Sequence, residues 1–332
     1  MTTRNVIKIL FNSVLGLVLI FIWSKFVNLA QILETISQVN LPLLSVAFAF
    51  MFLSPFIRAI RLKVFLSEIK KIPLLDLIFL NGAAMFLNFL IPIRAGEVVK
   101  GVYLNTRYNL HMGKAIIWIF LDRFVDFLTV LALTGVLLFI IPTSLSITFI
   151  MIIIVILTMA LVLTYLAVFN VNFAKKLINF LTPLLIEKHI KIYFSSFSHF
   201  ILDSFSILKR HPKDLSLMGI LTLFAYGADA GIWYFTFKAL ESNQPFLKMY
   251  LGQILSALTY LIPAAPGYVG SAEASGTLIL SGVFGIEINL ASAMIVLFHI
   301  TSAVFVIILG LISIFNLKLD LGLIFRKALK RS

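Results

Sequence analysis

Apolar residues in this chain come in long unbroken blocks, not in the one-sided stripes of a soluble helix. Blocks of about 20 apolar residues match the hydrocarbon thickness of a bilayer. They run at 7–24, 41–58, 115–141, 147–169, 215–240 and 289–315, and each is expected to cross a membrane. Two further apolar segments, 74–92 and 246–263, are different. Each ends in Leu-Ile-Pro and leads into a Gly-containing turn. The connector 170–214 mixes Phe, Ile and Leu with Lys and Ser, which predicts amphipathic helices lying on the inner leaflet. The tail after Lys318 reads the same way.

Composition supports the membrane reading. Of the 332 residues 61% are hydrophobic and 12% charged, against about 25% charged in soluble domains. So few charges cannot cover a soluble surface. The net charge is +13, and a basic chain can point to nucleic acid. Here the cations collect in short connectors instead, as cytoplasmic loops facing anionic lipid do. Arg58, Arg61, Lys63, Lys70 and Lys71 follow the second block. Lys175, Lys176, Lys188, Lys191, Lys209, Arg210 and Lys213 fill the central connector. Arg326, Lys327, Lys330 and Arg331 crowd the end of the chain. No nucleic-acid partner is expected. Arg4 and Lys8 before the run Ile9 to Trp23 imitate a signal peptide, but no small-x-small motif follows, so an uncleaved first span is expected. There is no Cys, and the five His are scattered, so no metal or cofactor is expected.

Placing the cationic loops inside puts both termini in the cytoplasm of a multi-pass cell-membrane protein. The connector 141–147 has no charge and belongs outside. Counting crossings, the stretch 72–114 enters and leaves on the cytoplasmic side, and 246–286 on the external side. Each is a re-entrant hairpin or a pair of short helices. Sliding the chain on itself by 171 positions, Leu90-Ile91-Pro92 falls on Leu261-Ile262-Pro263, Leu87 on Leu258 and Gly96 on Gly267. The halves, about 41–141 and 215–315, begin on opposite sides, which is the mark of an inverted-topology repeat. The expected fold is thus an all-α integral membrane protein, a single polytopic domain over 1–332. It has about six transmembrane helices plus two re-entrant or broken helical hairpins.

Pro92 and Pro263 stop helices at membrane depth, and half-helix ends there offer fixed partial charges to a polar ligand. A structural kink without a ligand is the competing reading. Arg94, Gly96, Glu97 and Lys100 follow the first break. Arg94 has the planar fork that suits phosphate or carboxylate. Glu97 can pair with a cation or hold an amine, and a solvated loop is the plainer alternative. Asp122, Arg123 and Asp126 lie inside an apolar block, with the two carboxylates on one helix face. They are costly in lipid unless paired, by Arg94 or a ligand. Pro266, Gly267 and Gly270 make an irregular turn, and Glu273 either caps the helix that follows or binds substrate. Asp229 and His299 are expected to be hydrogen-bonded within the bundle.

The motifs Pro92-Ile93-Arg94-Ala95-Gly96-Glu97, Asp122-Arg123-Phe124-Val125-Asp126 and Pro266-Gly267-Tyr268-Val269-Gly270, with Glu273 after them, carry a resemblance. In that order and spacing, the chain resembles the flippase-like membrane family related to the transmembrane part of lysylphosphatidylglycerol synthase. The resemblance implies movement of lipid between leaflets, aminoacylated phosphatidylglycerol being the substrate of the best-understood members. The synthase's soluble aminoacyl-transferase domain is missing from the sequence, so lysine transfer is not expected. Nor is ATP hydrolysis, because no Gly-x4-Gly-Lys-Ser/Thr loop occurs. The leading expectation is a transporter that moves or binds an anionic or aminoacylated phospholipid, or another lipid-linked phosphate. The alternatives are a membrane lipid-phosphate transferase and a non-transporting subunit of a separate synthase or glycosyltransferase. Oligomerisation stays open.

Overall fold

A computed structural model describes residues 3–67, 70–91, 95–170, 212–259 and 265–320, with positions 172, 176 and 180. Pro92, Arg94 and Pro263, almost all of the 170–214 connector and the tail beyond 320 lie outside the described residues. All described regular elements are helical. They are α1 (Thr3–Ser24), α2 (Leu29–Ser37), α3 (Leu41–Leu66), α4 (Leu74–Leu90), α5 (Ala95–Tyr108), α6 (Met112–Ile140) and α7 (Ile147–Phe169). After the connector come α8 (Pro212–Ala239), α9 (Phe246–Thr259), a 3-10 turn (Pro266–Tyr268) and α10 (Ser271–Thr277). A π-helical turn (Leu278–Val283) and α11 (Ile288–Leu317) complete the order.

Local chemistry sets the helix starts. The side chains of Asn28, Asn40, Ser146 and Glu287 accept backbone N–H groups at the heads of α2, α3, α7 and α11. Each satisfies a donor that has no partner inside the helix. Among the described residues, four helical stretches are long and apolar enough to cross a membrane: Leu41–Leu66, Ala115–Ile140, Lys213–Ala239 and Ile288–Leu317. The pair α1–α2, bent by 88°, makes a fifth if the two count as one broken span. The stretch Ile147–Leu163 is apolar but falls in the shorter class. Large apolar side chains such as Phe139, Leu278 and Phe315 face outward. On a soluble protein such surface would drive association, whereas hydrocarbon covers it without cost. The chain is a multi-pass membrane protein.

One boundary differs from the sequence reading, with consequences for the site. The helix that starts at Leu41 does not stop at 58 but continues to Leu66. Arg58 and Arg61 therefore sit within a span and do not belong to a cytoplasmic loop. The apolar pattern breaks there because one face of α3 turns from lipid to carboxylates on its neighbours.

The two odd apolar segments form pairs of short helices. The 17 residues of α4 and 14 of α9 fall short of the roughly 20 a span needs. Helix α5 follows α4 and packs against it, and α9 is followed by the 3-10 turn and α10. The most extensive helix packing is α3 on α8. These two run antiparallel: Asn40 N–H bonds Ala239 O at one end, Phe50 stacks on Phe235, and Arg61 meets Thr222 at the other end. Packing is close because Gly231 leaves room for the Phe50 ring. Helix α4 likewise lies against α11, with Gly82 facing Ser313 and Gly310 facing Phe86. Small residues at such crossings let helices approach where lipid supplies no hydrophobic drive. Helix α3 packs on α4 and α8 on α9, while α5 packs on α6 and α10 on α11.

Candidate functional site

Arg61, projecting from α3, is 1% exposed. Its Nε and Nη2 donate to the two oxygens of Asp122 at 2.9 and 3.1 Å, a bidentate pair. Its Nη1 donates to Asp126 Oδ1 and, at 2.7 Å, to Thr222 Oγ1 on α8. The spacing of four residues puts both carboxylates of α6 on the face that this single guanidinium reaches. Nearly a turn earlier, Arg58 Nη2 donates to Asp229 Oδ2 of α8 at 2.8 Å. Its Nη1 lies 3.6 Å from Asp126 Oδ2, and the guanidinium stands over the Tyr226 ring. Charges removed from water this far cost several kcal/mol each unless their partners replace the lost solvation.

The cluster loosens towards α5. Arg123 Nη2 donates to Asp122 at 2.9 Å, but its Nε is 3.8 Å from Glu97 Oε1 and its Nη1 3.9 Å from Asp126 Oδ2. Lys100 Nζ lies 3.7 Å from Glu97 Oε2. Glu97 Oε2 and Arg123 Nε are buried atoms with no hydrogen-bond partner among the described residues. Among the described residues, four cations (Arg58, Arg61, Lys100, Arg123) thus face four carboxylates (Glu97, Asp122, Asp126, Asp229), whose formal charges balance. One end is tightly bonded. The other has charge in place and bonding capacity unused, and it is also the more open end, Arg123 being 37% and Glu97 28% exposed in their side chains.

A second polar site lies nearer the end of the chain. Gly267, Tyr268 and Gly270 all adopt positive φ, at 70°, 59° and 82°. Such backbone is free for glycine and strained for tyrosine. His299 of α11 holds this turn, its Nε2 meeting Gly267 O at 2.7 Å and its Nδ1 meeting Glu273 Oε1. Glu273 Oε2 accepts the Gly270 N–H at 2.7 Å, so the carboxylate does cap α10 while also pairing with the imidazole. A cleft of about 270 Å³ opens beside His299, lined by Phe89, Asn88, Tyr268, Phe298 and Ser302 among others.

Several polar groups recur at like positions in the helix order. Glu97 and Glu273 are each the third residue of their short helix. Arg123 and His299 are each the twelfth residue of the long helix that follows. Both pairs are separated by 26 residues (123 − 97 and 299 − 273). Arg58 and Asp229, each eighteenth in α3 and α8, are 171 apart and bond to each other. Asn81 and Gln253, each eighth in α4 and α9, are both buried, with side-chain nitrogens lacking a hydrogen-bond partner among the described residues.

Of the residues singled out in the sequence, Glu97, Lys100, Asp122, Arg123 and Asp126 converge in the ionic cluster. Gly96 supports them from behind: its N–H donates to Asn88 Oδ1 at 2.8 Å, and a Cβ there would meet Ala84 O at 2.2 Å. Pro266, Gly267, Gly270 and Glu273 form the second site. Arg94, the cation expected to neutralise an aspartate, lies outside the described residues; Arg61, Arg58 and Arg123 fill that role. Sequence reasoning missed Arg58, Arg61 and Thr222. The available signal was the apolar run continuing through Ile60, Leu62, Val64, Phe65 and Leu66 on either side of the arginines. Asp229 and His299 are bonded in the bundle as expected, and their partners are now named.

The Arg58–Asp229 contact yields a test. Reversing either charge alone should cost about 3–5 kcal/mol, the usual penalty for an uncompensated buried charge. The double exchange Arg58→Asp with Asp229→Arg should recover a measurable part of it in thermal unfolding in detergent. Two singles that simply add would show that the two groups are not coupled.

No curated protein matches the chain. A family profile described as "Lysylphosphatidylglycerol synthase TM region" does match, over residues 6–310. That stretch takes in the ionic cluster, the His299 turn and the candidate spans as far as residue 310 of the last, and a match over nine-tenths of the sequence places this chain in the lysylphosphatidylglycerol synthase TM region family.

Proposed function

We propose that the protein moves a lipid with a phosphate headgroup between the leaflets of the cell membrane. The substrate class is an anionic or aminoacylated phospholipid, or another lipid-linked phosphate. The observation that carries this reading is the loose end of the ionic cluster. Arg123 Nε and Glu97 Oε2 are charged-group atoms, buried and without hydrogen-bond partners among the described residues, beside the ammonium of Lys100. An arginine and a lysine offer a phosphate its donors. Glu97 can take the ammonium of an aminoacylated or amine headgroup. A headgroup carrying both charges would replace the long Glu97–Arg123 contact by two short ones, so its desolvation would be offset inside the protein. Asp122, Asp126, Arg61 and Arg58 hold the receiving groups in place.

The motion proposed is rocking of one half against the other about α3 and α8, in a six-span inverted repeat with both termini cytoplasmic. The antiparallel packing of α3 on α8 and the equivalent positions of Arg58/Asp229, Asn81/Gln253 and the two Glu-cation pairs support it. No covalent step is assigned to the chain. A metal-dependent transferase would need carboxylates offered to the metal, yet Asp122 and Asp126 are engaged by Arg61.

Native mass spectrometry of gently extracted protein tests the binding half of this proposal. A phosphate-bearing lipid should co-purify with the wild type. Its retention should fall about tenfold or more in Arg123→Gln, the loss of one charge-assisted contact. Equal retention by Glu97→Gln, Arg123→Gln and wild type would sink the site. Co-purification of a soluble enzyme, with no bound lipid, would favour the accessory-subunit reading.

A further inference from the structure

We propose that the Glu273–His299 pair is a proton-binding site, and that its proton holds the turn beside the cleft in place. Coupling of this proton to lipid movement rests on the translocase reading above; the proton site itself does not. The donors and acceptors around His299 require the proton. Gly267 O can only accept, so His299 Nε2 must carry hydrogen to bond it at 2.7 Å. The same ring meets Glu273 Oε1 through Nδ1. A neutral imidazole has one N–H and one lone pair. With Glu273 ionised and His299 neutral, one of the two contacts would set lone pair against lone pair. The arrangement is consistent only when the pair holds one more proton, as imidazolium beside carboxylate or as imidazole beside carboxylic acid.

The surroundings make that proton consequential. Glu273 also holds Gly270 N–H, and His299 holds Gly267 O, so the pair staples both ends of a turn with three positive-φ residues. When the Nδ1–H bond breaks, its electron pair stays on nitrogen and the proton leaves to water in the cleft. Nδ1 then repels Glu273 Oε1, and the strained turn is released. The groups facing His299 can be named from each side. Glu273 comes from α10 and the Tyr268 phenol from the turn, and both titrate. From α4 come Met85, Asn88 and Phe89, and from α11 itself Phe298, Ser302 and Val306, none of which titrates. The π-helical turn and helices α2, α3 and α8 also pack on α11, but among the described residues they add nothing to the cleft lining.

A physical link joins this site to the first half. The Phe89 ring stands edge-on to His299, and its neighbour Asn88 receives the Gly96 N–H at the head of α5. The next residue is Glu97. Equivalent positions thus carry a permanent cation, Arg123, in one half and a titratable one, His299, in the other. That asymmetry gives a repeat protein a headgroup station and a proton station.

Two measurements test the proposal. In ¹⁵N-histidine spectra of the detergent-solubilised protein, one imidazole signal, absent from His299→Gln, should change in a single step as pH rises, its Nδ1 passing from proton-bonded, by its own proton or by that of the Glu273 carboxyl, to a bare lone pair. In vesicles of phosphatidylcholine and phosphatidylglycerol with a trace of fluorophore-labelled phosphatidylglycerol, leaflet exchange should change about tenfold across that step, the effect of one unit of protonation free energy. The profile should be flat in both His299→Gln and Glu273→Gln, so a folding defect in either leaves the other as the test. A His299 signal whose Nδ1 is a bare lone pair throughout pH 5 to 8.5, or a His299→Gln profile matching the wild type, would overturn the proposal. If the signal titrates but no lipid exchanges at any pH, the translocase reading fails and the proton site stands.

Discussion

Arg61→Ala should destabilise the protein by roughly 3–5 kcal/mol, the cost of removing one partner from a buried ion group. Arg61 alone gives Asp122 two hydrogen bonds, and it also bonds Asp126 and Thr222. Without it, Asp122 keeps Arg123 and Asp126 keeps only long contacts to Arg58 and Arg123. Two carboxylates on adjacent turns of α6 would then share an apolar interior with too little positive charge. Arg61→Lys should fall between, because an ammonium keeps the charge but cannot bridge both aspartates with the planar fork. Thermal unfolding in mild detergent measures both. An Arg61→Ala protein within about 1 kcal/mol of wild type, the size of a surface pair, would mean that the aspartates are solvated and the cluster does not hold the helices together.

Gly270→Ala should be nearly as damaging, by a separate route. A Cβ at Gly270 would stand 2.0 Å from the carbonyl oxygen of Gly16, and backbone cannot swing aside as a side chain can. The residue also sits at φ 82°, which L side chains rarely adopt. Strain and overpacking each cost about 1–3 kcal/mol, so a loss of roughly 2–5 kcal/mol is expected. The damage should centre on the contact between α1 and the turn. Protease sensitivity near α1 should rise before global unfolding, while Gly219→Ala, where a Cβ meets nothing within 4 Å, should leave both measures unchanged. Equal behaviour of the two variants would show that α1 does not rest on this turn.

Much of this architecture is legible in block lengths. Membrane helices must satisfy their backbone internally and face hydrocarbon, so α3, α6, α8 and α11 stand out as apolar runs. The short segments stand out through Leu-Ile-Pro and their glycines. Boundaries were less legible where charge enters a span. Reading Arg58 and Arg61 as loop residues follows from counting cations along the chain, but in the bundle they are cancelled by Asp122, Asp126 and Asp229, which lie on distant helices. Hydropathy registers a charge at its sequence position and carries no trace of its partner. The aspartates were recognisable because a spacing of four survives in sequence, whereas Arg61–Thr222, 161 residues apart, does not. Glu273 shows the same limit: its capping role is local and was foreseen, while its pairing with His299 is tertiary. Like positions in the helix order lie 171, 172 and 176 residues apart, so a single sliding offset along the chain does not bring them all into register.

The central claim is that this protein moves lipid through a site containing Glu97, Lys100 and Arg123. The most direct measurement is the leaflet exchange rate of labelled phosphatidylglycerol in vesicles holding purified protein. Wild type should exceed protein-free vesicles clearly, and Glu97→Gln and Arg123→Gln, still folded by their melting curves, should fall at least about tenfold, the loss of one charge-assisted contact. Exchange no faster than in protein-free vesicles, or rates untouched by both substitutions, would contradict the account.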